Sequence, residues 1–133
     1  MKESFPTPES PVSKEQVIAA YKKFIDRGIT NPDSLNLDDS EVQEAHQLFD
    51  KWQLQEDTAA AGNKDAERRI NFFKTKMYVD AGFTDPTYLG DVLGWLFQDA
   101  GDLGKQPDNP ENVKLRQDYA EEIRKIRGLL KSN

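Results

Sequence analysis

The chain of 133 residues contains no cysteine, so it forms no disulfide and offers no thiolate as a nucleophile or zinc ligand. Its apolar residues never form a long run. The strongest stretch, near residues 92–97, is much shorter than the roughly 20 residues of a membrane-spanning helix. The absence of cysteine suits a reducing compartment. We therefore expect a soluble, cytoplasmic protein that does not enter a membrane.

Catalytic sequence motifs are also missing. The chain has no G-x-S-x-G, no glycine-rich phosphate loop and no H-E-x-x-H. The only histidine, His46, is followed one helical turn later by Asp50, which makes at most half of a metal site or an acid–base pair. Gln43 stands where a di-iron Glu-x-x-His motif needs glutamate. We expect a protein that is not an enzyme; a small helical enzyme using His46 and carboxylates is one alternative.

The chain has no excess of basic charge, because its formal net charge is −6. The sign alternates along the sequence: −7 over residues 28–62, +3 over 63–76, −6 over 77–112 and +3 over 113–133. Without a basic stripe, the protein is not expected to bind nucleic acid through phosphates. One interpretation of the alternation is that the helices complement one another's charge in the fold. The other is an acidic surface that attracts a cation or a basic partner.

A ten-residue motif occurs twice, 54 residues apart: residues 26–35 read DRGITNPDSL and residues 80–89 read DAGFTDPTYL. Gly28 and Gly82 can adopt the left-handed conformation that ends a helix, and the apolar residue after each glycine can pack back on that helix. The Asn-Pro or Asp-Pro pair that follows can cap and start the next helix. Each copy therefore predicts a helix, a short connector and a second helix. This chemistry is generic and identifies no family.

Apolar residues recur at helical spacing over five segments, and no strand-like alternation is present. Helices are predicted over residues 14–27, from 38 or 39 to somewhere in 57–62, over 64–81, over 86–100, and from 110 nearly to the end. The expected fold is all-α: a compact bundle of about five helices, made of two related helical hairpins plus a C-terminal closing helix. Residues 13–133 form this single domain. Residues 1–12, which include three prolines, are predicted to be a disordered tail.

Two helices carry apolar residues outside a single stripe. Phe72 and Val79 lie roughly opposite the main stripe of the third helix, which predicts either a central helix or an exposed interface. In the fourth helix, glycines stand four residues apart, with one aromatic residue at each margin of the apolar arc. The glycines predict close approach by another helix of the same chain or, alternatively, a groove for a partner. The candidate partner-binding residues are Phe72, Val79, Gly90, Gly94, Trp95 and Phe97.

Acidic residues are dense in two connecting regions, and calcium prefers such oxygen ligands. The spacing does not match an EF-hand, so any calcium site would be of another type. Helix capping and solvation account for the same residues without an ion. The candidate calcium ligands are Asp33, Asp38, Asp39, Glu41, Asp99, Asp102, Asp108 and Glu111.

The function that these patterns favour is a non-catalytic protein–protein interaction or regulatory module with an acidic surface. Its expected partner is another protein with a basic surface, and no cofactor other than calcium is considered. An acidic calcium-binding regulatory protein without EF-hands is the first alternative, and the helical enzyme described above is the second.

Overall fold

The computed structural model describes residues 11–132 and confirms the all-α fold. Within this range the chain forms five α-helices and no strand. The helices are α1 (Lys14–Ile25), α2 (Ser40–Ala59), α3 (Lys64–Ala81), α4 (Pro86–Leu103) and α5 (Pro110–Ser132). None of these helices is both long enough and apolar enough to cross a lipid bilayer.

The centre of the bundle is α3, which packs against each of the other four helices. α1 and α5 run parallel to α3, whereas α2 and α4 run antiparallel to it. The ring centroids of Tyr21 in α1 and Tyr78 in α3 are 4.9 Å apart, and those of Phe72 in α3 and Tyr119 in α5 are 4.5 Å apart. Apolar residues on two sides of α3 therefore serve one continuous core.

The repeated motif ends two helices in the same way. Gly28 and Gly82 have φ angles of +84° and +113°, which confirms the prediction that both are left-handed. One residue later, the amide of Ile29 donates to the carbonyl of Phe24, and the amide of Phe83 donates to the carbonyl of Tyr78. These equivalent bonds occupy carbonyl groups that the helix ends would otherwise leave unpaired.

After the glycines, the two copies diverge. In the second copy the Asp85 side chain accepts hydrogen bonds from the amides of Thr87 and Tyr88, so α4 begins at once. In the first copy Asn31 caps only a short 3-10 turn over Pro32–Ser34. The prediction that this residue caps the second helix of the first hairpin is therefore wrong.

The start of α2 lies further along the chain. Asn36 accepts a hydrogen bond from the amide of Asp38, which adds another turn before the helix. Asp39 then caps α2 by accepting from the amide of Glu41 at 2.8 Å. The Glu41 side chain in the first turn of α2 pairs with Arg27.

The two connectors contact each other. The amide of Asp85 donates to the carbonyl of Thr30 at 3.0 Å, and the Asn31 side-chain amide donates to the Asp85 carboxylate at 3.3 Å. Gly82 also lies against α1, since a β-carbon at this position would be 3.2 Å from Cγ1 of Ile25. The two halves of the repeat are thus joined at their turns.

Two helix ends differ from the sequence-based boundaries. α1 ends at Ile25, and α4 continues to Leu103, so Gly101 is helical rather than part of a loop.

At the N-terminal side, Val12 is buried and its backbone exchanges two hydrogen bonds with the Gln55 side chain. The tail predicted for residues 1–12 therefore overlaps the packed domain at Val12. Residues 1–10, including Phe5, lie outside the described residues.

Candidate functional site

The outward side of α4 carries a strip of three glycines. Gly90, Gly94 and Gly101 follow one another along it, and a β-carbon placed on any of them would meet no neighbouring atom of residues 11–132 within 4 Å. The predicted close approach of another helix of the same chain is therefore wrong. Phe97 lies next to this bare strip, and Trp95 lies at the other margin of the exposed side of the helix. We call the surface made by Gly90, Gly94, Trp95, Phe97 and Gly101 the α4 face.

The two aromatic residues of the α4 face are large and open to solvent. Trp95 is 50% exposed and Phe97 is 45% exposed. Each ring has one neighbour in the fold: the Trp95 and Tyr88 ring centroids are 6.4 Å apart in T-shaped geometry, and the Arg127 guanidinium lies over the Phe97 ring, 5.0 Å from its centre. Both aromatic side chains are therefore partly supported while they remain exposed.

The charge of α4 is entirely acidic. The helix contains Asp91, Asp99 and Asp102 and no lysine or arginine. Burial raises the pKa of the neighbouring Tyr88 hydroxyl, and the charges of Asp33 and Asp91 add to that rise. The cation on Phe97 is supplied by α5. Arg127 of α5 lies beside Phe97, but the charged residues on the helix that carries the α4 face are all acidic.

The other two candidate partner-binding residues are in the core. Phe72 is only 8% exposed and Val79 only 4%, because α5 packs over that side of α3. The Phe72 ring contacts Tyr119 of α5. The assignment of these two residues to a partner-binding surface is therefore wrong, and α3 is the central helix that the alternative interpretation predicted.

A cavity of about 290 Å³ lies where α3, α4 and α5 meet, toward the C-terminal end of α4. Leu103, Leu115 and Tyr119 supply its apolar lining, while Asn71 and Asp99 supply polar groups. The Asn71 amide donates to the Asp99 carboxylate at 3.1 Å. We call this space, lined by those five residues together with Lys64, Glu67, Arg68, Asp102 and Gln106, the Asp99 cavity.

The basic residues of the Asp99 cavity are already engaged. Arg68 donates to Asp65 at 2.8 Å and to Gln106 at 3.0 Å, and the Lys64 ammonium lies 3.6 Å from Glu67. Within residues 11–132, no cationic side chain lies within 4.0 Å of the carboxylates of Asp99 or Asp102. The cavity is therefore left with uncompensated negative charge.

The ionisation of Asp99 reflects this environment. Burial raises the pKa of Asp99, and the negative charge of Asp102 raises it further, while the hydrogen bond from Asn71 opposes the rise. Burial also raises the pKa of the Tyr119 hydroxyl to about 12, with the charge of Asp99 contributing. A carboxylate in such a place favours any ligand that brings a positive charge.

The candidate calcium ligands do not gather around a common centre. Within residues 11–132, no group of three or more histidine, cysteine, aspartate or glutamate side chains is close enough to hold a metal ion. Asp39 and Glu41 pair with Arg27, and Asp108 pairs with Arg116 at 2.5 Å. The remaining candidates are Asp33, Asp38 and Glu111, which are exposed, and Asp99 and Asp102 in the Asp99 cavity. Calcium binding itself stays an untested prediction.

His46 lies on α2 and is half-buried beside α1. Its Nδ1 atom is hydrogen-bonded to the Tyr21 hydroxyl, and the two rings are 5.6 Å apart. Within residues 11–132, no hydrogen bond or ion pair joins His46 to Asp50. The structure therefore gives His46 a hydrogen-bond partner, Tyr21, other than the predicted Asp50, and a catalytic role for His46 stays an untested prediction.

Several residues of the Asp99 cavity were not predicted from the sequence. The sequence predicts Asp99 and Asp102 as candidate calcium ligands and does not single out Asn71 or Tyr119 as site residues. Asn71, Asp99 and Tyr119 come from three helices and are separated by 28 and 20 positions. No motif links them. Only the unpaired acidic charge of α4 pointed to this region.

Comparison with known proteins gave no match: no protein-family model, curated protein sequence or solved structure is significantly similar to this chain.

Proposed function

We propose that the protein is a non-catalytic interaction module that binds, through the α4 face, another protein with a basic surface. The observation that carries this proposal is the exposure of two large aromatic residues, Trp95 and Phe97, on a helix that also carries a bare glycine strip. Large exposed aromatic residues are common anchors of protein interfaces. The absence of cysteine from the sequence fits a cytoplasmic location for this interaction.

The glycines support the proposal because the fold itself gains nothing from them. A glycine inside a helix costs about 1 kcal/mol relative to alanine. In the interior of a bundle, that loss is offset when another helix packs closely on the bare backbone. At Gly90 and Gly94 no such neighbour is present. A partner that approaches α4 closely would use the same space.

The acidic residues of α4 select the kind of partner. Asp91 and Asp102 are exposed on the helix that carries the α4 face, and α4 has no basic residue. Charges at the rim of an interface mainly set the association rate and exclude partners of like charge. The affinity would come from the aromatic anchors. A basic partner therefore fits this surface better than an acidic one.

The first experiment compares baits. The full-length protein, the Trp95→Ala and Phe97→Ala variants, and a Leu54→Ala control are used to capture proteins from cells of the source organism. Leu54 is a suitable control because it is also large, apolar and 69% exposed, but lies on α2. We expect at least one protein to bind the wild type and Leu54→Ala and to be lost with both α4 variants.

The captured protein is then purified and measured against each variant by calorimetry. Loss of a well-packed aromatic anchor should weaken binding by about 2 kcal/mol or more, and added salt should slow association. Equal binding by the wild type and both α4 variants would contradict the proposal. Equal loss with Leu54→Ala would show that the effect is not specific to the α4 face.

Two alternative functions have direct tests. A calcium titration by calorimetry with a saturable heat, removed by Asp39→Asn or Asp99→Asn, would favour a calcium-binding protein. A turnover activity abolished by His46→Gln would favour an enzyme. Either result would replace the interaction module as the primary function.

A further inference from the structure

We propose that the Asp99 cavity receives a lysine or arginine side chain of the partner, with Asp99 and Asp102 pairing with its charge. The proposal rests on the proposed function, because it assigns a second contact to the same partner. The two proposals involve different residues. The α4 face can therefore bind a partner without the Asp99 cavity taking up a basic side chain, and the cavity can bind a basic side chain without the α4 face binding a partner.

The shape of the cavity suits a long basic side chain. Its volume of about 290 Å³ is close to the lower end of the range of small-molecule sites, about 300–1,000 Å³. Leu103, Leu115 and Tyr119 can contact an aliphatic stem, while the carboxylates lie on the α4 wall. Lysine and arginine combine an apolar stem with a charged end in this way.

The charge of the cavity also specifies a cation. Glu67 is the carboxylate next to Lys64, and Asp65 is the carboxylate on Arg68, so these two basic groups are neutralised locally. Asp99 and Asp102 are not. An entering ammonium or guanidinium group would compensate them, and the Asn71 amide would keep the Asp99 carboxylate oriented.

An organic cation fits better than a metal ion. Calcium needs six to eight oxygen ligands, and no group of three acidic side chains converges within residues 11–132. A side-chain ammonium or guanidinium needs only one or two carboxylates. The apolar lining of the cavity would be unused by a hydrated ion.

The cavity lies on the Trp95 side of the α4 face. Trp95, Asp99 and Asp102 are spaced four and three residues apart, so they share one side of the helix. With a rise of 1.5 Å per residue, Trp95 and Asp102 are separated by about 10 Å along the axis. A single partner segment can therefore contact Trp95 and place a basic side chain in the cavity.

The test is an NMR titration of the full-length protein with model side chains. The probes are N-acetyl-lysine methylamide and N-acetyl-arginine methylamide, and the neutral controls are the norleucine and citrulline analogues. We expect saturable shifts in the millimolar range at the Asn71 side-chain amide and at Leu103 and Tyr119 with the basic probes. The neutral controls should cause much smaller shifts. The two basic probes distinguish an ammonium from a guanidinium preference.

Variants locate the binding. The double variant Asp99→Asn, Asp102→Asn should weaken binding of the preferred probe at least tenfold. The control Asp91→Asn removes the remaining carboxylate of α4, which lies outside the cavity, and should leave binding within twofold. The dispersion of the NMR spectrum reports that each variant is folded.

Four results would overturn the proposal, three of them from the titrations with the model side chains. These three are no saturable shift with either basic probe, equal shifts with the neutral analogues, or unchanged binding in the folded double variant. Stronger and competing binding of calcium chloride at the same signals would also overturn it, in favour of a metal site. The probes are titrated into the protein without its partner, so their binding is measured independently of the α4 face and this result is separate from a failure of that face.

Discussion

α3 and α4 look alike in sequence, because both carry large apolar residues outside a single helical stripe. In the fold they differ. α3 is covered by four helices, so Phe72 and Val79 are buried, whereas α4 packs mainly on α3 and α5 and keeps Trp95 and Phe97 exposed. A second apolar face on a helix can therefore be part of the core or part of the exposed surface. The number of neighbouring helices decides between core and surface, and that number is not a property of the helix itself.

The largest expected effect is the loss of stability on truncating a buried residue of α3. Phe72→Ala should destabilise the protein by about 3–5 kcal/mol, because it empties the contact with Tyr119 between α3 and α5. Urea unfolding monitored by circular dichroism measures the loss. A change below about 1 kcal/mol would show that this face of α3 is not part of the core.

The next effect concerns glycines that the fold needs. Gly82→Ala should destabilise by about 1–2 kcal/mol, since it forces a β-carbon into the left-handed region at the end of α3. The new β-carbon would also press on Ile25. Gly28→Ala should destabilise the protein less, by about 1 kcal/mol, because the new β-carbon would meet no neighbouring atom of the described residues within 4 Å. The reverse order would contradict this account of the two connectors.

The glycines of α4 should behave in the opposite way. Gly90→Ala and Gly94→Ala should each stabilise the protein by up to about 1 kcal/mol, because both are helical and have free space for a methyl group. Thermal unfolding measures the gain. The same substitutions should weaken partner binding. Destabilisation by either one would mean that the fold, rather than a partner, requires the bare strip.

The exposed aromatic residues should matter little for folding. Trp95→Ala and Phe97→Ala should each change the free energy of unfolding by less than about 1 kcal/mol. For Phe97→Ala, this change includes the loss of the contact between the Phe97 ring and the Arg127 guanidinium. Chemical denaturation measures this directly. A loss as large as that of Phe72→Ala would remove the difference between α3 and α4.

The smallest expected effect is a pH dependence at the interface of α3 and α5. Burial raises the pKa of Glu122, although Lys125 and Lys76 oppose the rise. A carboxyl with a raised folded-state pKa favours folding below its unfolded pKa and loses that contribution as pH rises through the folded value. The stability of Glu122→Gln relative to the wild type should therefore increase with pH across that range. A relative stability that falls with rising pH would show that the lysines, and not burial, dominate.

Local chemistry made much of the fold predictable. The left-handed Gly28 and Gly82 depend on residues within one or two turns, and both are confirmed. The start of α2 was only partly predictable, because Asn31 and Asn36 each form a local turn that competes with helix formation. Whether a helix follows Asn31 depends on packing beyond the motif.

The candidate site was less accessible to prediction. The exposure of Trp95 and Phe97 agrees with their places at the margins of the apolar arc of α4. The burial of Phe72 required knowing that α5 lies across α3. The Asp99 cavity required the relative positions of three helices, which no local pattern contains.

The hydrogen bond from the Asp85 amide to the Thr30 carbonyl makes one proton a reporter of the whole domain. This proton can exchange with solvent only when the two connectors separate. Because α1 and α3 share the core through Tyr21 and Tyr78, such separation opens the bundle. Exchange at Asp85 should therefore follow global unfolding, while the Glu41 amide, bonded within its own turn, exchanges by local opening. Exchange of the Asp85 amide at the rate of global unfolding would show that the two halves of the repeat form one cooperative unit rather than two modules.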